Sequence, residues 1–207
     1  MNPSLSAIVL AGGKSSRMGQ DKALIAIEGV PLLRRVCEAA LQCTPRVYVV
    51  TPWIERYQKV IPPTCHLIQE QLLPAETGPH GPLVGFAQAL AHIETDWVLL
   101  LACDLPCLQS EVLQRWASEL EGSGDAIALL PRTKKGWDAL CGFYQTKCLA
   151  SLMAAIERGE RSFQGWLAQE TVKEIGVSDP SMLFNCNTVE DLVVLTGSEK
   201  WKVRYGE

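Results

Sequence analysis

Long apolar runs are missing from this chain. No stretch approaches the roughly 18 to 20 apolar residues of a membrane-spanning helix. Met1-Asn2-Pro3-Ser4 has neither the basic nor the apolar part of a secretory leader, so a cytoplasmic location without membrane contact is expected. Histidine is scarce, with 3 in 207 residues. The 8 cysteines are scattered and include no C-x-x-C pair, which speaks against a zinc site or a disulfide scaffold and for thiols serving as small core residues. Cys103, Cys107 and Cys186 nevertheless stand beside the motifs described below. Excess charge is absent too, and a net charge of −4 with a pI near 5.5 argues against a nucleic-acid partner. No linker, repeat or low-complexity tract divides the chain. Its 207 residues, 47% hydrophobic, are therefore read as one domain able to bury a sizeable core.

One loop stands out against this background. Leu5-Ser6-Ala7-Ile8-Val9-Leu10 has the length and β-branched content of a buried strand. It runs directly into Ala11-Gly12-Gly13-Lys14-Ser15-Ser16-Arg17-Met18-Gly19-Gln20-Asp21-Lys22. Gly12, Gly13 and Gly19 can take positive φ and leave no Cβ in the way, so backbone N–H groups can converge on an anion. Lys14, Arg17 and Lys22 add charge. Gly13-Lys14-Ser15 looks like the tail of a Walker A loop, but Ile8 stands where that motif needs its first glycine. The dinucleotide fingerprint G-x-G-x-x-G fails because Gly12 and Gly13 are adjacent. What remains is a phosphate loop of another kind, or a structural turn with solvated basic residues.

The rest of the chain alternates between strand and helix patterns. Residues 22–27 form a short extended segment turning at Glu28-Gly29-Val30-Pro31, and Pro31 suits the first turn of a helix reaching Leu41. Strands are expected at 46–51 and 66–69, with a short helix after Pro52 between them. A long loop, 70–82, precedes a helix over 83–92; its length favours a functional surface. Residues 97–104 are the most apolar run, as in a strand covered on both faces, ending in Asp104. In an open α/β sheet ligands bind beyond the carboxyl ends of the strands, so Asp104 and the basic loop should share an edge. The alternative is that Asp104 caps the next helix. Further helices are expected at 111–120, at 149–156 and from Phe163, and strands at 125–130, 137–144 (with partial alternation, an antiparallel insertion) and 172–175. Thr188 with Asp191 has the spacing of a capped helix start.

Leu10-Ala11-Gly12-Gly13-Lys14-Ser15-Ser16-Arg17-Met18-Gly19, followed by Asp21-Lys22, resembles the signature of the nucleotidyltransferases that activate sugars and cofactors. Gly81-Pro82-Leu83-Val84-Gly85, Cys103-Asp104-Leu105-Pro106, Gly159-Glu160-Arg161-Ser162 and Asn185-Cys186-Asn187-Thr188-Val189-Glu190-Asp191-Leu192 resemble, in order, the later motifs of the molybdenum cofactor guanylyltransferase (MobA-like) family. The closing N-x-N-T-x-E-D-L points to that branch.

The resemblance implies a single-domain, Rossmann-like three-layer α/β fold of the nucleotide-diphospho-sugar transferase type, with a mostly parallel central sheet and helices on both faces. Within it, a nucleotide half would span about 1–107 and an acceptor half about 108–207. It implies transfer of GMP from GTP to the terminal phosphate of molybdopterin, with Mg²⁺ as cofactor and transient contact with proteins that deliver the pterin or mature molybdoenzymes. Arg17, Lys22 and Asp104 would be catalytic. Leu10, Ala11, Gly12, Gly13, Lys14, Lys22 and Asp104 would hold the nucleotide, with Thr51 and Glu70 where the family tends to place Asn and Asp. Gly81, Pro82, Leu83, Arg158, Arg161, Asn185 and Asn187 would face the acceptor, and Asp104 with Asn187 would hold the metal. One carboxylate suffices, because Mg²⁺ is usually bound by one or two carboxylates plus substrate phosphates. A related cytidylyl or sugar-phosphate transferase and a nucleotide-binding adaptor without turnover stay open as other readings.

Overall fold

The computed structural model describes residues 3–13, 21–71 and 81–197. β1 is Leu5–Leu10. A 3₁₀ turn over Lys22–Leu24 then leads into a two-residue hairpin of β2 (Ala26–Ile27) and β3 (Val30–Pro31), where an extended segment was expected. Helix α1, Leu32–Leu41, starts one residue after Pro31 rather than on it. β4 (Val47–Thr51), α2 (Ile54–Tyr57), β5 (His66–Gln69), α3 (Pro82–Leu90) and β6 (Trp97–Ala102) follow near their expected places. α4 is Ser110–Ser118, and β7 keeps only Ala128–Leu130 of the expected strand. The run 137–144 divides between a small hairpin, β8 (Arg132–Thr133) with β9 (Gly136–Trp137), and the longer β10, Cys141–Gln145. α5 (Leu149–Glu157), α6 (Phe163–Leu167), β11 (Val172–Glu174) and α7 (Val189–Thr196) complete the order.

Seven strands make the main sheet, in the order β11-β7-β10-β6-β1-β4-β5. Only β10 runs against its neighbours, β6 and β7; the other pairings are parallel. Alternation in β1 and β6 sends Ala7, Val9, Leu99 and Leu101 to one apolar layer under α1 and α4, and Ile8, Val98 and Leu100 to another under α3, α5 and α6. All six β6 residues are buried, which is why that run shows no polar alternation. Truncating any of these core leucines to alanine is expected to cost about 2–5 kcal/mol.

The connection order positions the site. From β1 the chain steps outward to β4 and β5, then crosses back to β6 on the other side of β1. Leu10 pairs with Val50 on one flank and Ala102 on the other. The carboxyl ends of β1 and β6 therefore open the crevice where such sheets take ligands.

Candidate active site

The crevice is a cleft of about 460 Å³. Leu10, Gly12, Gly13, Lys22, Glu70, Gly81, Pro82 and Asp104 line it, joined by Val50, Gly85, Ala102, Cys103 and Leu140. The amino end of α3 faces this space through Gly81, Pro82 and Gly85, so the positive end of the helix dipole meets whatever anion enters. Gly81 has φ 86°, which favours glycine at the turn into Pro82.

Three side chains from distant segments meet here. Lys22 Nζ donates to Asp104 Oδ2 at 2.5 Å and to Asn187 Oδ1 at 2.8 Å. Each partner is held by its own backbone. Cys103 N–H donates to the Leu10 carbonyl and Cys186 N–H to the Asp104 carbonyl, so the ends of β1 and β6 and the segment before α7 are stitched together. The expected cap of α7 is present: Thr188 Oγ1 accepts from Asp191 N–H, and Asp191 Oδ2 accepts from the N–H groups of Asn187 and Thr188. A small apolar cluster of Ile25, Ile27, Leu32, Cys186, Val189 and Leu192 packs α7 against the β2–β3 hairpin and thereby fixes Asn187 beside Lys22.

Asp104 is 7% exposed, and its Oδ1 is the single buried side-chain oxygen without a hydrogen-bond partner among the described residues. It does not cap the next helix: α4 begins after Gln109 and has no side-chain cap. An unpartnered buried carboxylate oxygen is costly unless something positive meets it. Asp104 and Asn187 offer hard oxygen donors, the set a divalent ion such as Mg²⁺ takes. No group of three or more His, Cys, Asp or Glu gathers among the described residues. The donor set thus suits an ion whose remaining ligands come from a substrate.

Glu70 lies across the cleft. A Cβ on Gly12 would come within 2.8 Å of Glu70 Oε2, and one on Gly85 would meet the same carboxylate at 3.5 Å. A side chain at Gly12 would push the end of Glu70 aside, so the glycine lets that carboxylate approach β1; neither Gly12 nor Gly13 uses the positive φ that glycine allows. Lys14, Arg17 and Gly19 lie outside the described residues.

Other expected contacts are not brought to the cleft. Thr51 is buried, and its hydroxyl accepts from Trp53 N–H, fixing the start of α2. Ala11 and Leu83 are buried beneath the surface. Arg158 and Arg161 are exposed, and Arg161 Nη1 turns back onto the carbonyls of Ile156 and Glu160. Asn185 is exposed and donates to the Leu183 carbonyl. Burial pushes the thiols of Cys103 and Cys186 up to about 12, as expected of structural rather than reactive cysteines.

Sequence reasoning missed Val50, Ala102 and Leu140 as cleft walls. Leu140 belongs there because its carbonyl accepts from Ala102 N–H at the head of β10. It also missed Asp138, half-buried nearby, whose carboxyl is raised above its ordinary value by burial, with the charge of Asp104 pushing the same way.

Residues 7–173 match the family described as MobA-like NTP transferase domain. A protein of Trichormus variabilis whose name reads "Probable molybdenum cofactor guanylyltransferase" is 54% identical over 194 residues, 93% of this chain and 91% of that protein. Among solved structures, molybdopterin-guanine dinucleotide biosynthesis protein A of Archaeoglobus fulgidus superposes with a TM-score of 0.75 at 23% identity, covering 93% of this chain and 97% of that one. The 4-diphosphocytidyl-2C-methyl-D-erythritol synthase of Anaerococcus prevotii does so with a TM-score of 0.70 at 12% identity, over 95% and 96%. These two structural likenesses carry the fold.

Proposed function

Because the chain belongs to the MobA-like NTP transferase family, we propose that it transfers the guanylyl group of GTP to the terminal phosphate of molybdopterin. The products are pyrophosphate and the guanine dinucleotide form of the cofactor. The observation that carries this reading is the meeting of Lys22 with Asp104 and Asn187, 82 and 165 residues away, at the end of a phosphate-type loop. The name borne by a relative at 54% identity supplies the base and the acceptor.

An oxygen of the acceptor phosphate bonds to the α-phosphorus of GTP. The bond from that phosphorus to the bridging oxygen breaks, and pyrophosphate leaves with the electron pair. An ionised phosphate is already a nucleophile, so the protein's work is positioning and charge stabilisation. Two unit charges about 4 Å apart repel by roughly 4 kcal/mol at an effective dielectric of 20, and these phosphates carry more than one charge each. Lys22, with Lys14 and Arg17 of the same loop, offsets that repulsion, and the amino end of α3 adds its dipole. Asp104 and Asn187 would hold Mg²⁺, which when bound would neutralise further phosphate charge. Glu70, a carboxylate in the cleft, is suited to accept hydrogen bonds from N1–H and the 2-amino group of guanine.

In this reading residues up to about 107 bind the nucleotide, and the remainder, through Asn187, meets the acceptor. The open cleft also fits transient contact with a protein that supplies the pterin. Incubating the purified chain with phosphate-terminated pterin, Mg²⁺ and each nucleoside triphosphate separately tests the proposal. Pyrophosphate release with GTP is expected. Preference for CTP would move the chain to the cytidylyl branch, and turnover only with a sugar phosphate would rule out the pterin.

A further inference from the structure

Lys22 must be aimed, because a long flexible ammonium side chain contributes to transfer only when its donors point at the reacting phosphates. The residue before it shows how. Asp21 Oδ1 accepts from Ala23 N–H at 3.1 Å, capping the 3₁₀ turn that carries Lys22. Its Oδ2 accepts from Tyr57 Oη–H at 2.7 Å and from Arg56 Nη1 at 3.0 Å. Both donors belong to α2, the short helix after β4. The Asp21 side chain is only 14% exposed, and Tyr57 is 1% exposed. Neither of them, nor Arg56, lines the cleft.

α2 is itself fixed to the sheet. Thr51, the last residue of β4, accepts from Trp53 N–H at 3.0 Å, and the Trp53 ring lies 4.6 Å from the Arg56 guanidinium carbon. A continuous series of contacts therefore runs from the end of β4 through Trp53, Arg56 and Tyr57 to Asp21, and so to Lys22 with Asp104 and Asn187 beyond it. Burial and the bond to Asp21 raise the Tyr57 phenol above its ordinary value, so it remains a donor across the pH range of any assay.

We propose that Tyr57 and Arg56 are positioning residues for the transfer: through the Asp21 carboxylate they fix the turn from which Lys22 reaches Asp104 and the substrate phosphates. The proposal rests on the reading of Lys22 as a phosphate-binding residue. It goes beyond that reading in giving α2, remote from the chemistry, control over the geometry of Lys22. It also assigns Thr51 a part that does not involve touching the nucleotide.

The test uses the full chain with Tyr57→Phe and Arg56→Gln, singly and together, and two readouts. The first is steady-state pyrophosphate release. A shift of about 1 Å caused by a change away from the reacting atoms can cost on the order of 100-fold. Because Lys22 keeps Asp104 and Asn187, the double variant is expected to lose about tenfold in kcat/KM for GTP, with KM for the pterin unchanged and Arg56→Lys close to wild type. The second readout is the ¹H–¹⁵N signal of the Lys22 ammonium, which should shift or broaden in the double variant without any substrate. Wild-type kcat/KM together with a wild-type Lys22 signal would overturn the proposal. So would a lower melting temperature with both readouts unchanged, since that is a purely structural role. If the wild-type chain releases no pyrophosphate from GTP, the functional reading fails. The Lys22 signal alone then decides the positioning claim, a change supporting it and an unchanged signal overturning it.

Discussion

Replacing Asp104 with Asn keeps the shape of the side chain and removes its charge, and the structure sets two opposed consequences for stability. Losing the carboxylate breaks the pair with Lys22, whose side chain is 17% exposed against 10% for Asp104. In so enclosed a pair the Coulombic attraction is largely offset by the desolvation of both ions. In the other direction, the change removes the negative charge shared by Oδ1, a buried oxygen that has no partner, and leaves in its place a neutral amide group, which is less costly to desolvate than a charged oxygen. The asparagine carbonyl can still accept from Lys22. The net change should stay near 1 kcal/mol in either direction, roughly 2–4 °C in melting temperature for a chain of this length. Metal binding has no such compensation. Loss of even an outer partner weakens a metal site by about 10–100-fold, and a ligand should cost at least as much. Thermal melts, Mn²⁺ titration followed by electron paramagnetic resonance, and pyrophosphate release would measure the three quantities on one sample. An unchanged Mn²⁺ titration and rate would refute the assignment of Asp104 as metal ligand. A fall of much more than 10 °C in melting temperature would show instead that the carboxylate is chiefly a structural ion-pair partner.

Lys22→Met should abolish most turnover and lower the melting temperature more than Asp104→Asn does, because it leaves a buried carboxylate without its ammonium. Adding Asp104→Asn to Lys22→Met should recover part of that loss, and a double variant no more stable than Lys22→Met would contradict the account. Thr188→Ala removes one arm of the α7 capping box and should cost about 0.5–2 kcal/mol. It should also raise the Mg²⁺ concentration needed for half-maximal rate through Asn187, and an unchanged Mg²⁺ requirement would remove Asn187 from the metal site. The buried thiols make stability fall in alkali. Cys103, Cys148 and Cys186 are pushed from 9.0 up to about 12 by burial, so above about pH 9 the unfolded chain gives up protons that the folded chain retains. Stability from these groups is complete below that pH and is lost as pH rises toward 12. Denaturant unfolding at pH 8 and pH 10.5 should show the drop, which Cys103→Ser should reduce.

The strands and helices that pack the sheet were legible because burial and period coincide in them. β1, β4, β5 and α1 fell close to their expected bounds, and β6 showed itself by six consecutive apolar residues. The run 137–144 was misjudged in extent because the chain turns at Asp138, whose N–H donates to the Pro131 carbonyl, and that long-range bond leaves no mark in local periodicity. Lys22, Asp104 and the α7 cap stood out from motif and position. The shared edge of the basic loop and Asp104 was expected too; what the sequence did not show is that Lys22 itself donates to both Asp104 and Asn187, which depends on the crossover that returns the chain from β5 to β6. Thr51 does not show its hydroxyl to the cleft, because a hydroxyl at a strand end serves a ligand or its own turn equally well on sequence grounds, and here the turn takes it. Asp21 was visible in the loop, but its hold on Tyr57 and Arg56, 36 and 35 residues away, was not.

The most direct test of the central claim follows the phosphorus. With GTP labelled at the α-phosphate, stoichiometric enzyme, Mg²⁺ and molybdopterin, the account predicts that the label passes into a pterin–guanine dinucleotide of the expected mass, with one pyrophosphate released per label transferred, and that Asp104→Asn prevents it. Label that remains in GTP, or appears as free GMP with no dinucleotide formed, would contradict it.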